Sequence, residues 1–584
     1  MGALQHLNKY LKKYRFKLIL GIATTIISRI FSLFAPRLIG KSLTAIENFL
    51  MDNQGSMEYL KTLMLNNILI IIGTTLLSGF FTFLMRQTII NVSRYIEYDL
   101  KNEIFSQYLR LTQRFYKNNR TGDLMSRISE DAGKVRMYVG PAIMYSINTI
   151  TLFICVITIM FSIAPKLSVY TLIPLPLLSL TIYKLSRIIN ARSTVVQEML
   201  SKLSSFTQET FSGIPVIKSY GLEYKTHGSF DNLSMEAKEK NMNLVKAQAW
   251  FFPLMILLIG LSNLIVIFIG GQQYINGFIE IGVLAEFIIY INMLTWPVAV
   301  VGWITSVVQQ AEASQKRINF FLNEQVEIQD GVGVNQSLQG AIRFDKVTLV
   351  YPETEIKALH NLSFSVESGQ TLGVIGKVGA GKSSLLNLIN RFYDPDNGKI
   401  MLDGHNIKNF KLEKLRNFIG NVPQNSFLFS ESIEENIRFG KRDAIEEEII
   451  EASINGSIHN NIKKFKEGYK TLLGERGLTL SGGQIQRVSI ARALIKDPKI
   501  LLFDDCLSAV DTDTEEKILK NLKSFCQNKT TIIVSHRISS VKDADNIIVL
   551  DKGSIIEKGD HQELLIQKGF YYELFNKQQN EKQN

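Results

Sequence analysis

Along the chain, apolar positions first recur at helical spacing and then fuse into long continuous runs. Leu4, Leu7, Leu11 and Tyr14 share one helical face with Lys and Arg opposite, which predicts an interfacial helix over residues 1–15 lying along a membrane surface. Apolar runs follow near 17–39, 64–90, 138–162, 167–186, 248–272 and 283–307. Each is about 20 residues or longer, enough to cross a bilayer. The first is too long for a signal-peptide core and has no clear cleavage site, so it reads as a retained span. Six spans within residues 16–315 predict an all-α membrane domain.

The connectors divide into two kinds. Residues 91–137 carry nine Lys and Arg, residues 187–246 are similarly basic, and the other three connectors are short with few basic residues. By the positive-inside rule the long basic connectors, both termini and everything after residue 308 are expected on the cytoplasmic side. Both long connectors favour helix and lack proline except Pro215. With turns near 115–123 and 212–215 they predict pairs of helical arms, each reaching about 35 Å beyond the membrane at 1.5 Å per residue. Two such levers on one side point to contact with a cytoplasmic machine.

After about residue 314 the pattern changes. A polar linker over 316–340 leads into short β-rich runs alternating with helical ones, including IRFDKVTLVY, TLGVIG, KILLFDD, TTIIVSH and NIIVLD. That alternation predicts an α/β domain with a parallel core over 341–576, followed by a frayed tail at 577–584.

Composition agrees with this division. In 584 residues, 46% hydrophobic content and a mean hydropathy of +0.08 exclude disorder and rod-like coiled coils. The net charge of +11 raises a nucleic-acid reading, but residues 1–340 hold 31 Lys and Arg against 21 Asp and Glu, whereas 341–584 hold 34 against 33. The excess therefore lies in the membrane half, and no nucleic-acid partner is expected. Cys155, Cys506 and Cys526 offer neither a disulfide framework nor metal-ligand spacing.

The chemistry lies in the second half. Residues 376–383 read G-x-x-x-x-G-K-S directly after a strand and before a helix. Glycines at Gly376, Gly379 and Gly381 let backbone N–H groups close around phosphate oxygens at a helix N-terminus. Lys382 then reaches the β/γ phosphates, and Ser383, followed by Ser384, supplies a magnesium ligand. About 120 residues later, an apolar strand ends in Asp504, suited to hold Mg²⁺ through water.

Leu480-Ser481-Gly482-Gly483-Gln484 resembles the signature of ATP-binding cassette (ABC) proteins, and the resemblance then covers the whole chain, to exporters that fuse six spans to one nucleotide-binding domain. It implies a site for ATP and Mg²⁺ in which Tyr351 stacks on adenine, Gln424 links the metal to the membrane levers, and His536 contacts the γ-phosphate. GERG at 474–477 resembles the exporter-type loop before the signature, Ser508 to Asp511 the dimer-contact loop, and residues 121–127 and 212–221 the two coupling regions. It further implies that Ser481, Gly482, Gly483 and Gln484 complete the site of a second chain, so that two half-transporter chains sandwich two ATP molecules. Export of amphipathic small molecules or lipids by alternating access follows. An ATP-gated membrane protein or regulator that does not pump is the rival reading. A soluble chromosome-maintenance ATPase is excluded by the spans and by the short distance between phosphate loop and signature.

One position departs from that pattern: Asp505 stands where the family usually has the Glu that serves as general base. The shorter side chain predicts slow hydrolysis at this chain's own site. It is expected either in one half of a heterodimer whose partner carries Glu and an altered signature, or in a homodimer with two slow sites. Cys506 beside it reads as a small filler rather than a redox brake. In the membrane half, Arg29 and Arg86 read as snorkelling or as ion-paired with a neighbouring helix, or as a site for an anionic lipid headgroup or an acidic drug. Glu286 is expected near the outer surface, Pro297 is expected to bend the last span, and Trp250, Trp296 and Trp303 read as packing residues or cavity lining.

Overall fold

The computed structural model describes residues 2–52, 57–334, 338–474, 477, 479–506 and 512–583. They form two compact units: Met1–Leu109 with Asn119–Glu324, and Arg110–Asn118 with Gln325–Asn584.

The first unit is helical. Five helices among the described residues are long and apolar enough to span a membrane: Arg15–Met51, Met57–Arg110, Thr121–Ile163, Glu223–Ile275 and Ile281–Leu322. The expected span at 167–186 is helical too, but it is divided between Pro165–Leu172 and Pro174–Ser212. Pro174 lacks the N–H that would continue the preceding helix, so a new helix starts there with proline in its first turn. Lys184 and Arg187 then limit its apolar length.

The second and third spans run without interruption into their arms. Met57–Arg110 passes a wide π-type turn at Arg86–Ile90, and Arg127–Asp131, Tyr138–Ala142 and Val266–Gly270 are similar turns. The second connector folds as Pro174–Ser212, a short helix Ile214–Tyr220 and Glu223–Ala249, turning at Gly213 as the sequence predicts. Gly221 closes the short helix in the left-handed region at φ +60°.

The amino-terminal segment buries Leu4, Leu7 and Tyr10 inside the unit, with Leu11 and Tyr14 half-buried. Asn319 donates to the Ala3 carbonyl, Lys13 pairs with Asp99 at 2.6 Å, and Lys9 and Tyr10 both bond Glu103. The acids on the neighbouring arm thus draw the basic helix onto protein. The last span, expected at 283–307, lies in one helix that runs from Ile281 through Pro297 to Leu322, past the domain boundary drawn at 315. Glu286, five residues after the start of the last helix at Ile281, is buried and accepts a 2.7 Å bond from the Tyr290 hydroxyl. Residues 577–583, expected to fray, continue the helix Phe570–Gln583.

Small residues allow close helix crossing in the membrane half. A Cβ on Gly40 would meet the Gly282 carbonyl at 2.7 Å, and the Gly282 N–H donates to Thr44 Oγ1. Nearer the arms, Asp131 is 1% exposed and accepts bonds from Ser314, Arg127 and Arg317. Burial pushes its carboxyl up, but the bonds from Arg317 and Ser314 and the charge of Arg317 outweigh this and hold it below the usual range. Its contribution to stability is therefore present above the unfolded-state value and lost as pH falls through the lowered folded one. Asp131→Ala is expected to destabilise the membrane unit by about 2–4 kcal/mol, because it strands two arginines. Thermal unfolding followed by tryptophan fluorescence measures this, and Asp131→Asn should cost less.

The second unit contains two sheets. Strands β1 (Ile342–Tyr351), β2 (Ile356–Val366), β4 (Asn397–Leu402) and β5 (His405–Asn406) form an antiparallel sheet ordered β2-β1-β4-β5. The other, ordered β10-β9-β3-β8-β7-β6, comprises β3 (Thr371–Gly376), β6 (Ile419–Val422), β7 (Ile500–Asp504), β8 (Thr530–Val534), β9 (Asn546–Asp551) and β10 (Ser554–Gly559). All its pairs are parallel except β9 with β10. Leu372, Val374, Leu502, Ile532 and Ile548 fill one continuous core with the antiparallel sheet. A separate helical cluster holds Leu428, Ile433, Ile449, Leu480 and Val488.

Candidate nucleotide site

Parallel strands bring the predicted chemistry to one edge. The phosphate loop follows β3, Asp504 ends β7, His536 lies just beyond β8 and Gln424 just beyond β6, so the order β3-β8-β7-β6 lines them up at the strand carboxyl ends. That edge is where open α/β sheets bind ligands.

Local backbone explains the loop's glycines. Gly379 and Gly381 adopt φ +82° and +96°, and a Cβ at Gly381 would meet the Ala358 carbonyl at 2.3 Å. A Cβ at Gly376 would meet the Leu550 carbonyl at 2.2 Å. Helix Lys382–Ile389 starts directly from Gly381. The Lys382 ammonium donates to the carbonyls of Gly376 (2.8 Å) and Lys377 (2.9 Å), spanning the loop from inside. Burial pushes this lysine below its ordinary value, while the Asp505 and Asp504 carboxylates act in the opposite sense.

Ser383 Oγ donates to Asp504 Oδ1 at 3.0 Å. Burial pushes the Asp504 carboxyl up; the Ser383 bond opposes this and the neighbouring Asp505 carboxylate adds to it. A hydroxyl–carboxylate pair at an accessible strand end, its carboxylate half-buried, suits a hard divalent cation. Asp505 is buried and sits at φ +44°, a conformation rare for a non-glycine residue. Its N–H donates to the Val534 carbonyl at 2.8 Å, and its Oδ1 accepts from the His536 N–H at 3.4 Å. Cys506 is buried and its thiol is pushed well up by that burial, as a filler's would be.

Ser481, Gly482, Gly483 and Gln484 start the helix Gly482–Leu494 with a reciprocal cap. Gln484 Oε1 accepts from the Ser481 N–H at 2.9 Å, and Ser481 Oγ accepts in return. Ser481 and Gly482 are exposed. The flanking Leu480 and Ile485 pack in the helical cluster, and among the described residues none of the segment's hydrogen bonds reaches the phosphate loop. Gln424 is exposed on its loop. Residues 508–511, and Glu475 and Arg476 of GERG, lie outside the described residues.

Several partners of the predicted residues were missed in the sequence. Tyr351 donates its hydroxyl to Ser384 Oγ at 2.9 Å and meets Tyr393 edge-on at 5.1 Å. Segment Arg110–Asn118, from the first connector, belongs to this same unit. Its Lys117 ammonium lies 5.3 Å from the Tyr351 ring and 5.5 Å from the Tyr393 ring, while Arg114 pairs with Glu327 and Glu353. The Gln578 amide donates to the His536 carbonyl at 2.8 Å and accepts from the Ile538 N–H at 2.9 Å. No periodicity in the sequence links these partners, which lie 33 to more than 200 residues apart. Outside this unit, Arg29 bonds Asn148, Trp303 meets Tyr145 edge-on, and Arg86, Trp250 and Trp296 are exposed.

Such a phosphate loop and signature, fused to a helical membrane unit, define an ABC-type half-transporter. Residues 18–298 match the ABC transporter transmembrane region and residues 359–508 the ABC transporter domain. The chain is 33% identical over 581 residues to the probable multidrug resistance ABC transporter ATP-binding/permease protein YheI of Bacillus subtilis, covering 99% of this chain and 98% of that protein. It is 33% identical to the multidrug resistance-like ATP-binding protein MdlA of Escherichia coli, covering 88% of each. A bacterial Atm1-family ABC exporter solved with ATP bound superposes with a TM-score of 0.81 at 26% identity, covering 97% of this chain and 99% of that one. The protein belongs to the ABC transporter family. It is a multi-pass membrane protein whose ATPase domain is coupled to transport, and half-transporters of this kind function as dimers.

Proposed function

We propose that the chain is one half of a dimeric exporter that moves amphipathic small molecules or lipids out across the cell membrane, with both termini and the nucleotide-binding domain cytoplasmic. The observation that carries this reading is the fusion, in one chain, of a phosphate site at a parallel-sheet edge to a helical membrane unit resembling exporters throughout its length. Multidrug names among the relatives favour export over a nucleotide gate.

In this reading Tyr351 stacks on adenine, and Gly376, Gly379, Gly381, Lys382, Ser383 and Ser384 hold the phosphates. Ser383, Asp504 and Gln424 would hold Mg²⁺, whose charge neutralises phosphate oxygens when bound. Asp505 takes the proton of the attacking water, and His536, its backbone held by Gln578, faces the γ-phosphate. Ser481, Gly482, Gly483 and Gln484 serve the nucleotide of the second chain. A heterodimer is the preferred arrangement, because the intact signature here suits a partner's competent site while Asp505 weakens this chain's own.

ATP-dependent accumulation of a fluorescent amphipathic cation or a labelled lipid in inside-out vesicles tests the proposal. Uptake against a gradient supports it; flux that only dissipates a gradient would mean a nucleotide-gated pathway instead.

Lys117 gives a further expectation. Removing it with Lys117→Ala should raise KM for ATP by roughly two- to fivefold, the worth of a partly exposed cation–π contact, with kcat in detergent little changed. Lys117→Arg should restore KM. Steady-state ATPase assays over a range of ATP concentrations check this.

A further inference from the structure

In the membrane unit, the helices Arg15–Ser32 and Phe34–Asp52 meet Ile143–Ile163 along a groove enclosing about 450 Å³. Ile30, Leu33 and Phe34 form one wall and Ile154 and Ile159 face them, with Arg37 at one end. The volume lies within the range of sites that hold a drug-sized ligand. Ile30, Phe34 and Ile154 are exposed in the single chain, Ile154 by 62% of its surface, so the groove is open on that face of the half-transporter.

Arg37 sets the chemistry. It is exposed and, among the described residues, makes no ion pair. From 29 to 41 this helical path carries Arg29, Arg37 and Lys41 and no acid. The buried Glu286 feels the charges of Arg37 and Lys41 without pairing with either. Arg29 is engaged with Asn148, which leaves Arg37 as the groove's available guanidinium.

Depth then selects the ligand. Arg37 stands 22 residues after Arg15, where the span begins, or about 33 Å along the helix. A bilayer core is about 30 Å thick. Arg37 therefore lies at the far interface, while Ile30 lies about 10 Å deeper toward the bilayer centre. A cation at headgroup level with an apolar wall descending from it has the shape of one phospholipid molecule in its leaflet. Guanidinium matches a phosphodiester through paired hydrogen bonds, and basic pockets between membrane helices hold anionic headgroups.

We infer that the groove between Arg15–Asp52 and Ile143–Ile163 is a binding site for an anionic phospholipid of the far leaflet, its phosphate on Arg37 and one acyl chain along Phe34, Ile30 and Ile154.

Cys155 lines the same groove and reports its occupancy. In the full chain carrying Cys526→Ser, with Cys506 buried, the rate of Cys155 alkylation by N-ethylmaleimide is measured in phosphatidylcholine vesicles with and without phosphatidylglycerol. Phosphatidylglycerol is expected to slow alkylation roughly tenfold, equivalent to about 1.4 kcal/mol of preferential binding. Arg37→Gln should abolish the protection and Arg37→Lys should keep part of it; an unchanged thermal transition by tryptophan fluorescence shows that both variants are folded. Equal rates in the two lipids, or unchanged protection in Arg37→Gln, would overturn the assignment. So would equal protection by oleate, which would make the ligand a single-chain acid. Slow alkylation in every lipid and variant would mean that a second copy of the chain covers the groove, and would overturn it as well.

Discussion

Replacing Asp505 with Glu is expected to raise Mg-ATP hydrolysis by the purified chain in lipid by up to about 10²-fold. The backbone at this position is fixed: φ is +44°, the N–H is bonded to the Val534 carbonyl, and the segment joins the buried end of β7 to the β8 edge. A side chain rooted there cannot move forward to compensate for a missing methylene. One Asp505 oxygen also accepts from the His536 N–H, which turns the carboxylate back toward its own sheet. Glu extends the carboxylate by roughly 1.5 Å, a displacement on the scale that changes a general base's efficiency by that factor. Asp505→Asn serves as the control. If the wild-type chain alone turns over briskly and Asp505→Asn abolishes it, Asp505 is already a competent base and the preference for a heterodimer fails. If activity appears only with Glu, the chain is the weak half of a pair and its signature belongs to a partner's competent site.

The parts of this site that were legible in the sequence are those in which local backbone and chemistry coincide. Gly376, Gly379, Gly381 and Lys382 sit in eight consecutive residues, so strand, turn and helix specify the phosphate loop without help from distant chain. Asp504 was legible because an apolar five-residue strand ends in a carboxylate, and the capped start of Gly482–Leu494 because Ser481 and Gln484 are three residues apart. Long-range partners left no such trace. That the segment around Lys117 joins the nucleotide-binding unit, or that Gln578 clasps the His536 backbone, depends on folding that brings residues 351 and 117, or 578 and 536, together.

The amino-terminal helix shows how one pattern can serve two partners. Its amphipathic spacing fits a membrane surface as well as a protein groove. Asp99 and Glu103, nearly a hundred residues away, pair with Lys13, Lys9 and Tyr10, and nothing in the helix's own spacing announces those contacts. The divided fourth span was concealed for a different reason. A hydropathy reading counts apolar residues and does not register that Pro174 ends one hydrogen-bond ladder and starts another.

Lys382→Ala is expected to lower ATP turnover by about 10²–10³-fold, the loss incurred when one preorganised charge is removed from a transition state. The geometry makes this more than the loss of a nearby cation. The ammonium bonds the Gly376 and Lys377 carbonyls from within the loop, so it both braces the loop and stands ready at its centre. Burial lowers the lysine's proton affinity while Asp504 and Asp505 raise it, and phosphate oxygens arriving at the loop would favour the charged form further. Lys382→Gln separates the two roles, because an amide can still donate to the loop carbonyls but carries no charge. If bracing dominates, Gln should recover most of the turnover and the protein's thermal stability. If charge dominates, Gln should restore stability and leave turnover as low as Ala. Nucleotide binding by a fluorescent ATP analogue, measured beside turnover, then shows whether the charge acts mainly on the ground state or on the transferring phosphoryl group: weaker binding with a parallel fall in kcat/KM marks the first, and unchanged binding with a collapsed kcat the second. The charge-dominated outcome, with the larger loss in kcat, is the expected one.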